Sequence, residues 1–399
     1  MNSQGRFALL LAIALTVLAS QVVAAQDKPA PKPPANSPLV GAALEKAMAD
    51  YNKKTKECKA AREKHEAVAV PYWERVDAKR KGRIAKRRAG ETIQLADYVL
   101  EQPPVYAGPP CPPDPSVRQE DQPDDKPELP VVGDFLRHAK EHFGFVPDAP
   151  KTELDYKRAY VAVATAAGLT KEQVVRIYSF ESGGNGKYDV QAGLENPNRP
   201  GAKAISTAFG YNQLLTANTA SLLAEKGGKF VKALEMRATQ LSGAEKQKLE
   251  RKIELLKRMA AHARTVPVQW GEHVKLGRTP KGLALHALNL DVDIGPLLQT
   301  QKLLDSVVFA KVKGIDRPLT AAELEMMNLT GDGNGFDMVS MPQTMRPQVP
   351  TSNFFQRRGY ERNPVAIRNN TVSKLIAATD VKMDKEVGLQ GAKDLAAGF

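Results

Sequence analysis

An all-α fold is what this sequence of 399 residues predicts. Three observations carry that expectation. Apolar residues recur at helical spacing through most of the chain, as in "GDFLRHAKEHFGF" and "ELDYKRAYVAVATAAG". Helix-start signatures recur too, with Thr170 three residues before Gln173 and Thr320 three before Glu323. No convincing series of alternating strands accompanies them.

Taken in order, residues 1–25 read as an export signal. Arg6 supplies the positive start, Phe7 to Leu18 is an apolar run, and Val23 and Ala25 fit cleavage before Gln26. The run is short for a membrane span. Residues 26–40 form a proline-rich tether. Residues 41–98 follow as a charged helical region. Within it, "KRKGRIAKRR" from Lys79 to Arg88 holds seven basic residues in ten. That segment reads as a solvated helix face, or as a patch held against an acidic polymer or envelope surface. It lacks the interleaved aromatics that stack on nucleic-acid bases.

Proline and aspartate crowd residues 99–130, which are expected to be a linker. The main domain is expected over 131–380, with a helical insertion near 220–320 and a tail over 381–399. In the insertion, Leu249, Ile253, Leu256 and Ala260 make the apolar seam of a helical hairpin.

The formal net charge of +12 suits anionic partners such as cell-wall material or a membrane surface. Nucleic acid is not an expected partner of an exported protein. Cys58 and Cys111 are the two cysteines of the chain. An oxidising compartment would permit a bridge between them; two unrelated thiols are the alternative.

Candidate chemistry begins in "RIYSFESGGNGKYDV", residues 176–190. Val174, Ile177 and Glu181 lie on one helical stripe, and glycines follow at once. A carboxyl in a partly apolar setting keeps its proton near neutral pH and can act as the general acid on a glycosidic oxygen. The same position equally suits an ordinary helix-end glutamate. The second stretch is "AISTAFGYNQLL", residues 204–215. Gly210 lets the backbone pass close to a pocket, and Gln213 offers both donors and an acceptor to a sugar. Neither a cofactor nor a metal is expected. "TGDGNGFDM" presents Asp332 and Asn334, but Gln343 stands where a calcium loop needs glutamate. "HAKEH" places His138 and His142 four apart, without the glutamate of a zinc-protease helix.

The two stretches resemble the lysozyme-like lytic transglycosylase family, which pairs Glu-Ser at a helix end with a later Gly-Leu-Met-Gln segment. Here Glu181 and Ser182 match the pair, and "GYNQ" runs from Gly210 to Gln213, with Tyr211 and Asn212 replacing Leu and Met. The resemblance covers roughly residues 165–216. It implies a lysozyme-like helical catalytic domain acting on peptidoglycan glycan strands. Glu181 would protonate the oxygen between N-acetylmuramic acid and N-acetylglucosamine. It would then take the proton of the muramoyl C6 hydroxyl as that oxygen closes on C1, leaving a 1,6-anhydro product. Ser182, Gly210, Tyr211 and Gln213 would serve the substrate, and Tyr360 in "NFFQRRGYERNP" is the best candidate for the tyrosine flanking the acid. Two alternatives stay open. One is a lysozyme-type hydrolase that uses Asp189 or Glu195 as a second carboxylate. The other is a wall-binding or structural protein that keeps the fold without catalysis.

Overall fold

The computed structural model describes residues 41–117, 129–194 and 202–399. The expected signal segment, the tether and Glu195 lie outside the described residues. Among those described, fifteen α-helices and three short 3₁₀ helices carry the regular structure, with isolated β-bridges and no strand. The all-α expectation holds.

Contacts divide the chain into a small unit, Met1–Thr55 with Cys111–Pro123, and a main unit, Lys56–Pro110 with Asp124–Phe399. The small unit holds the start of the long helix α1 (Ala42–Ala89), where Lys54 pairs with Asp50, and a turn in which Ser116 donates to Asp114. Cys58 and Cys111 are both disulfide-bonded, and neither is a free thiol.

The main unit contains two apolar cores. One gathers α2 (Val132–Phe143), α5 (Thr216–Ala238), α6 (Gly243–Ala263), α7 (Trp270–Leu276) and α8 (Pro280–His286) around Phe135, Phe209, Leu223 and Leu256. Helices α5 and α6 form the expected hairpin, and the seam of Leu249, Ile253, Leu256 and Ala260 is buried. The other core gathers α3 (Glu153–Ala166), α4 (Lys171–Ser182), α10 (Ala321–Thr330), α11 (Asp332–Val339), α14 (Val372–Glu386) and α15 (Gln390–Ala396) around Tyr160, Ile177, Leu324 and Leu375. Helix α9 (Gly295–Val312) belongs to both: Leu298 is buried in the first, Leu303 and Ala310 in the second. Two short helices, α12 (Arg357–Glu361) and α13 (Pro364–Arg368), close the surface before α14.

Three expectations about organisation change. Residues 381–399 are not a tail: they complete α14 and form α15, and both helices pack against α4. Residues 99–110 belong to the main unit rather than to a free linker. The Asn353 amide accepts from Val99 N and donates to Val99 O, tying the extended chain down. The boundary drawn between 41–98 and 131–380 also fails, because Tyr72, Trp73, Val76 and Tyr98 are part of the core around α4.

The basic segment of α1 has an unexpected destination. Arg83 is fully buried, bonding the carbonyls of Asp97 and Asn353 and pairing with Asp337 at 3.4 Å. Its guanidinium lies 4.4 Å from the Tyr98 ring centre. Arg87 pairs with Asp337 as well, Lys86 with Asp97 at 2.8 Å, and Arg80 with Asp77 at 2.9 Å. A buried arginine is tolerated only when its donors are met, and its planar fork meets several at once. Lys81 and Arg88 stay exposed. Arg83→Ala should therefore cost about 3 kcal/mol of stability, since it strands the buried Asp337 carboxylate with one partner. Lys81→Ala should change stability by less than about 0.5 kcal/mol. Urea unfolding midpoints compare the two, and equal midpoints would contradict the anchoring role.

Candidate active site

Helix α4 starts with a reciprocal cap: Thr170 N donates to the Gln173 side chain at 3.0 Å, and Gln173 N donates to Thr170 Oγ at 3.2 Å. This is the cap expected from the sequence, and the one at Thr320 and Glu323 forms as well. Val174, Ile177 and Tyr178 bury the inner face of α4, and Gly183 ends it in the left-handed region. Glu181 is thereby held in the last turn with its carboxyl facing α10.

There the carboxyl meets a partner that pattern reading missed. Glu325 on α10 is fully buried, and its carboxyl is in hydrogen-bond contact with that of Glu181. Asn328, one turn further along α10, donates its amide to Glu181 Oε1 at 2.5 Å and to Glu325 Oε2 at 3.4 Å. Burial raises the Glu181 carboxyl to about 7, against the opposing pull of its hydrogen bonds and of Lys382 and Lys302. Burial, with Glu181 alongside, pushes Glu325 well above the usual carboxylate range.

Glu181 lines an open cavity of about 1090 Å³. Its walls come from α5 (Ser221, Glu225), α7 (Trp270), α9 (Lys302, Asp305), α10 (Asn328) and the start of α11 (Asp332). Trp270 is 53% exposed on this wall, an apolar ring face open to the cavity. Size and polarity suit an extended polar ligand with apolar faces, such as a run of sugar rings.

Gln213 lines the same cavity. It is the single described non-glycine residue with positive φ, at 44°. Its amide donates to Gly210 O at 2.9 Å and Val190 O at 3.2 Å, while its Oε1 is buried without a partner.

The remaining sequence candidates have other places. Ser182 Oγ donates to Tyr178 O at 2.6 Å, within its own helix. Gly210 has φ of 84°, and a Cβ there would stand 2.5 Å from Gln299 Nε2, so glycine is required by the turn and by close packing. Tyr211 is buried beneath the turn, its ring 4.7 Å from that of Tyr178 and its hydroxyl bonded to Glu153. Tyr360 packs against Trp73 and Phe355 and lines a different cavity of about 510 Å³, with Tyr106, Pro103 and Pro104. The structure thus brings Glu181 and Gln213 to one cavity, and does not bring Ser182, Gly210, Tyr211 or Tyr360 to its lining.

Asp189 is exposed and is not part of the cavity lining either. In "TGDGNGFDM", Asp332 accepts from Ser306 at 2.6 Å and Asp337 is held by the arginines of α1. On α2, the ligand atoms of His138, Glu141 and His142 come within 4.8 Å of one another. His138 Nδ1 faces Glu141 at 3.4 Å, and the Arg137 guanidinium sits 3.3 Å from His138 Nε2. Lys302, Lys382 and Asn328 were also missed, and one sequence signal pointed at the last. "AAELEMMN" is apolar around most of its circumference, so Glu325 and Asn328 within it had to be partly or wholly buried.

Comparison with protein-family models, with curated proteins and with solved structures finds no match.

The raised Glu181 carboxyl leaves a signature in stability. Between the ordinary carboxylate range and about pH 7, the folded protein keeps a proton that the unfolded chain releases. Stability contributed by this group is therefore full at acid pH and lost as pH rises through that window. Glu181→Gln removes the loss. The variant should match the parent near pH 4 and exceed it by about 2 kcal/mol near pH 8. Denaturant titrations at both values measure this, and a constant difference would contradict it.

Proposed function

We propose that the protein is a peptidoglycan lytic transglycosylase with Glu181 as its general acid and base. One observation carries the reading: a carboxyl pushed to about 7 lines an open, sugar-sized cavity together with Gln213. The chemistry asks for a proton held at neutral pH and given to the bridging oxygen. Glu181 donates that proton and the C1–O bond breaks. The Glu181 carboxylate then takes the proton of the C6 hydroxyl, whose oxygen bonds to C1. The proton is back on Glu181, no water is consumed, and the product carries a 1,6-anhydro ring. Gln213 forms part of the wall along which the glycan lies, and Trp270 supplies a face for a sugar ring.

A second reading is a lysozyme-type hydrolase, favoured by Glu225, Asp305 and Asp332 on the cavity wall. Any of these would activate water in place of the C6 hydroxyl. Export, and an acidic envelope polymer as partner of the exposed Lys81 and Arg88, belong to the same proposal. Digestion of purified wall with mass spectrometry of the muropeptides tests it. Anhydro ends are the expected product, and Glu181→Gln should lower their formation by about 10²–10⁴-fold. Reducing ends would move the reading to the hydrolase. Pelleting with wall and no cleavage would move it to a binding protein.

A further inference from the structure

The Glu181 site contains a second carboxyl that the reaction above leaves unused. Glu325 is fully buried and does not line the cavity, so it touches no substrate. It sits on the same side of the sugar site as Glu181, in hydrogen-bond contact with it and sharing Asn328 as donor. A nucleophile or water-activating base must instead face the sugar ring from the cavity, a few ångströms across from the acid. Glu325 therefore plays neither part.

Its hydrogen bonding is also incomplete. Glu325 Oε1 receives no N–H or O–H donor. A buried carboxylate with an unmet oxygen is costly, whereas a protonated carboxyl becomes a donor itself. Two carboxyls in contact cannot both be ionised without strong repulsion. The charged groups facing the pair are Lys302 from α9 and Lys382 from α14. Lys382 is already committed to Phe180 O at 3.0 Å and to the Phe180 ring at 4.1 Å.

Resting on the transglycosylase reading, we infer that Glu325 is a positioning residue, kept neutral by burial, whose O–H donates to the Glu181 carboxylate formed when the bridging oxygen takes its proton. The donor is in place before the reaction and needs no reorganisation. Glu325 keeps its own proton throughout. Glu181 alone exchanges one with the substrate, first to the leaving oxygen and then back from the C6 hydroxyl. Burial of Glu325 also places this donor beyond the reach of water.

Two substitutions separate this role from an ionised, repelling Glu325. Glu325→Gln retains an N–H donor of similar shape. It should keep cleavage within about threefold and leave the alkaline limb of the pH profile within about half a unit. Glu325→Leu removes the donor. It should lower cleavage on the order of 10- to 100-fold, less than loss of a donor to the reacting atom itself, and move the alkaline limb upward. An alkaline limb that drops by a unit or more in Glu325→Gln would overturn the inference, as would parental activity and pH profile in Glu325→Leu. Infrared difference spectra of the substrate-free protein give a readout independent of cleavage. A protonated-carboxyl band that persists at pH 8 and disappears in Glu325→Gln is expected, and its absence from the parent would refute the neutral state. If the band is present while wall digestion yields no product, the transglycosylase reading falls and the neutral Glu325 stands.

Discussion

Tyr211 packs edge-on against Tyr178, and that contact holds the last turn of α4 against the turn that carries Gln213. Both rings are buried, with the Lys157 ammonium 5.3 Å from each ring centre and Glu153 accepting from Lys157 at 3.2 Å. Beside them Asn212 is clamped to α9: its backbone N donates to Gln299 Oε1 and its amide to Gln299 O, each at 2.8 Å, and the same amide reaches Tyr160 at 2.7 Å. These donors are all met in a dry setting, where a missing acceptor would cost the full desolvation of the group, while Asn212 Oδ1 is buried without a partner. The two halves of the candidate site are thus fixed to each other from below. Tyr211 and Asn212 are both buried and neither reaches the cavity lining.

From that floor the architecture extends through α9. The helix gives Leu298 to one core, Leu303 and Ala310 to the other, and Lys302 and Asp305 to the cavity wall between these contributions. Close packing transmits small displacements, so the separation of the cavity walls follows the seating of α9. The charged α1 helix supports the other side. Arg83 and Arg87 hold Asp337 on α11, and α11 packs against α10, which carries Glu325 and Asn328. Ion pairs of this kind add little net stability over an apolar core, but they allow one arrangement and penalise slippage. That fits a helix, α10, whose register must place Glu325 and Asn328 against Glu181 of α4.

Legibility in the sequence followed the range of the interactions. Helices, caps and the α5–α6 seam were readable because spacing within one helix encodes them: Thr170 with Gln173, Thr320 with Glu323, Leu249 with Ile253. Glu181 and Gln213 were readable as candidates because each stands at a helix end or glycine turn with a distinctive local pattern. Glu325 was not, because its meaning comes from a carboxyl 144 positions away in the chain. The basic run of α1 misled for a related reason. Charge density suggests solvent, and nothing local to Arg83 announces that Asp97, Asp337 and Asn353 will meet it. Tyr360 misled because a lone aromatic near a turn carries no direction, and its partner Trp73 lies on the distant α1.

Burying two acids side by side works against folding, and the surrounding structure shows what the arrangement requires. A single surface glutamate would be ionised at neutral pH and useless as a proton donor to a glycosidic oxygen. Burial alone would keep the proton but leave the carboxylate unsupported once the proton had gone. A neutral neighbour resolves the conflict, since it does not oppose the charge on Glu181 and can bond it when it appears. Asn328 provides a second donor of the same kind, at 2.5 Å. The cavity leaves Glu181 reachable while Glu325 stays sealed within α10. Access for one acid and seclusion for the other is the asymmetry that the proposed reaction needs between a proton carrier and its support, and it follows from the burial of Glu325 rather than from the identity of either side chain.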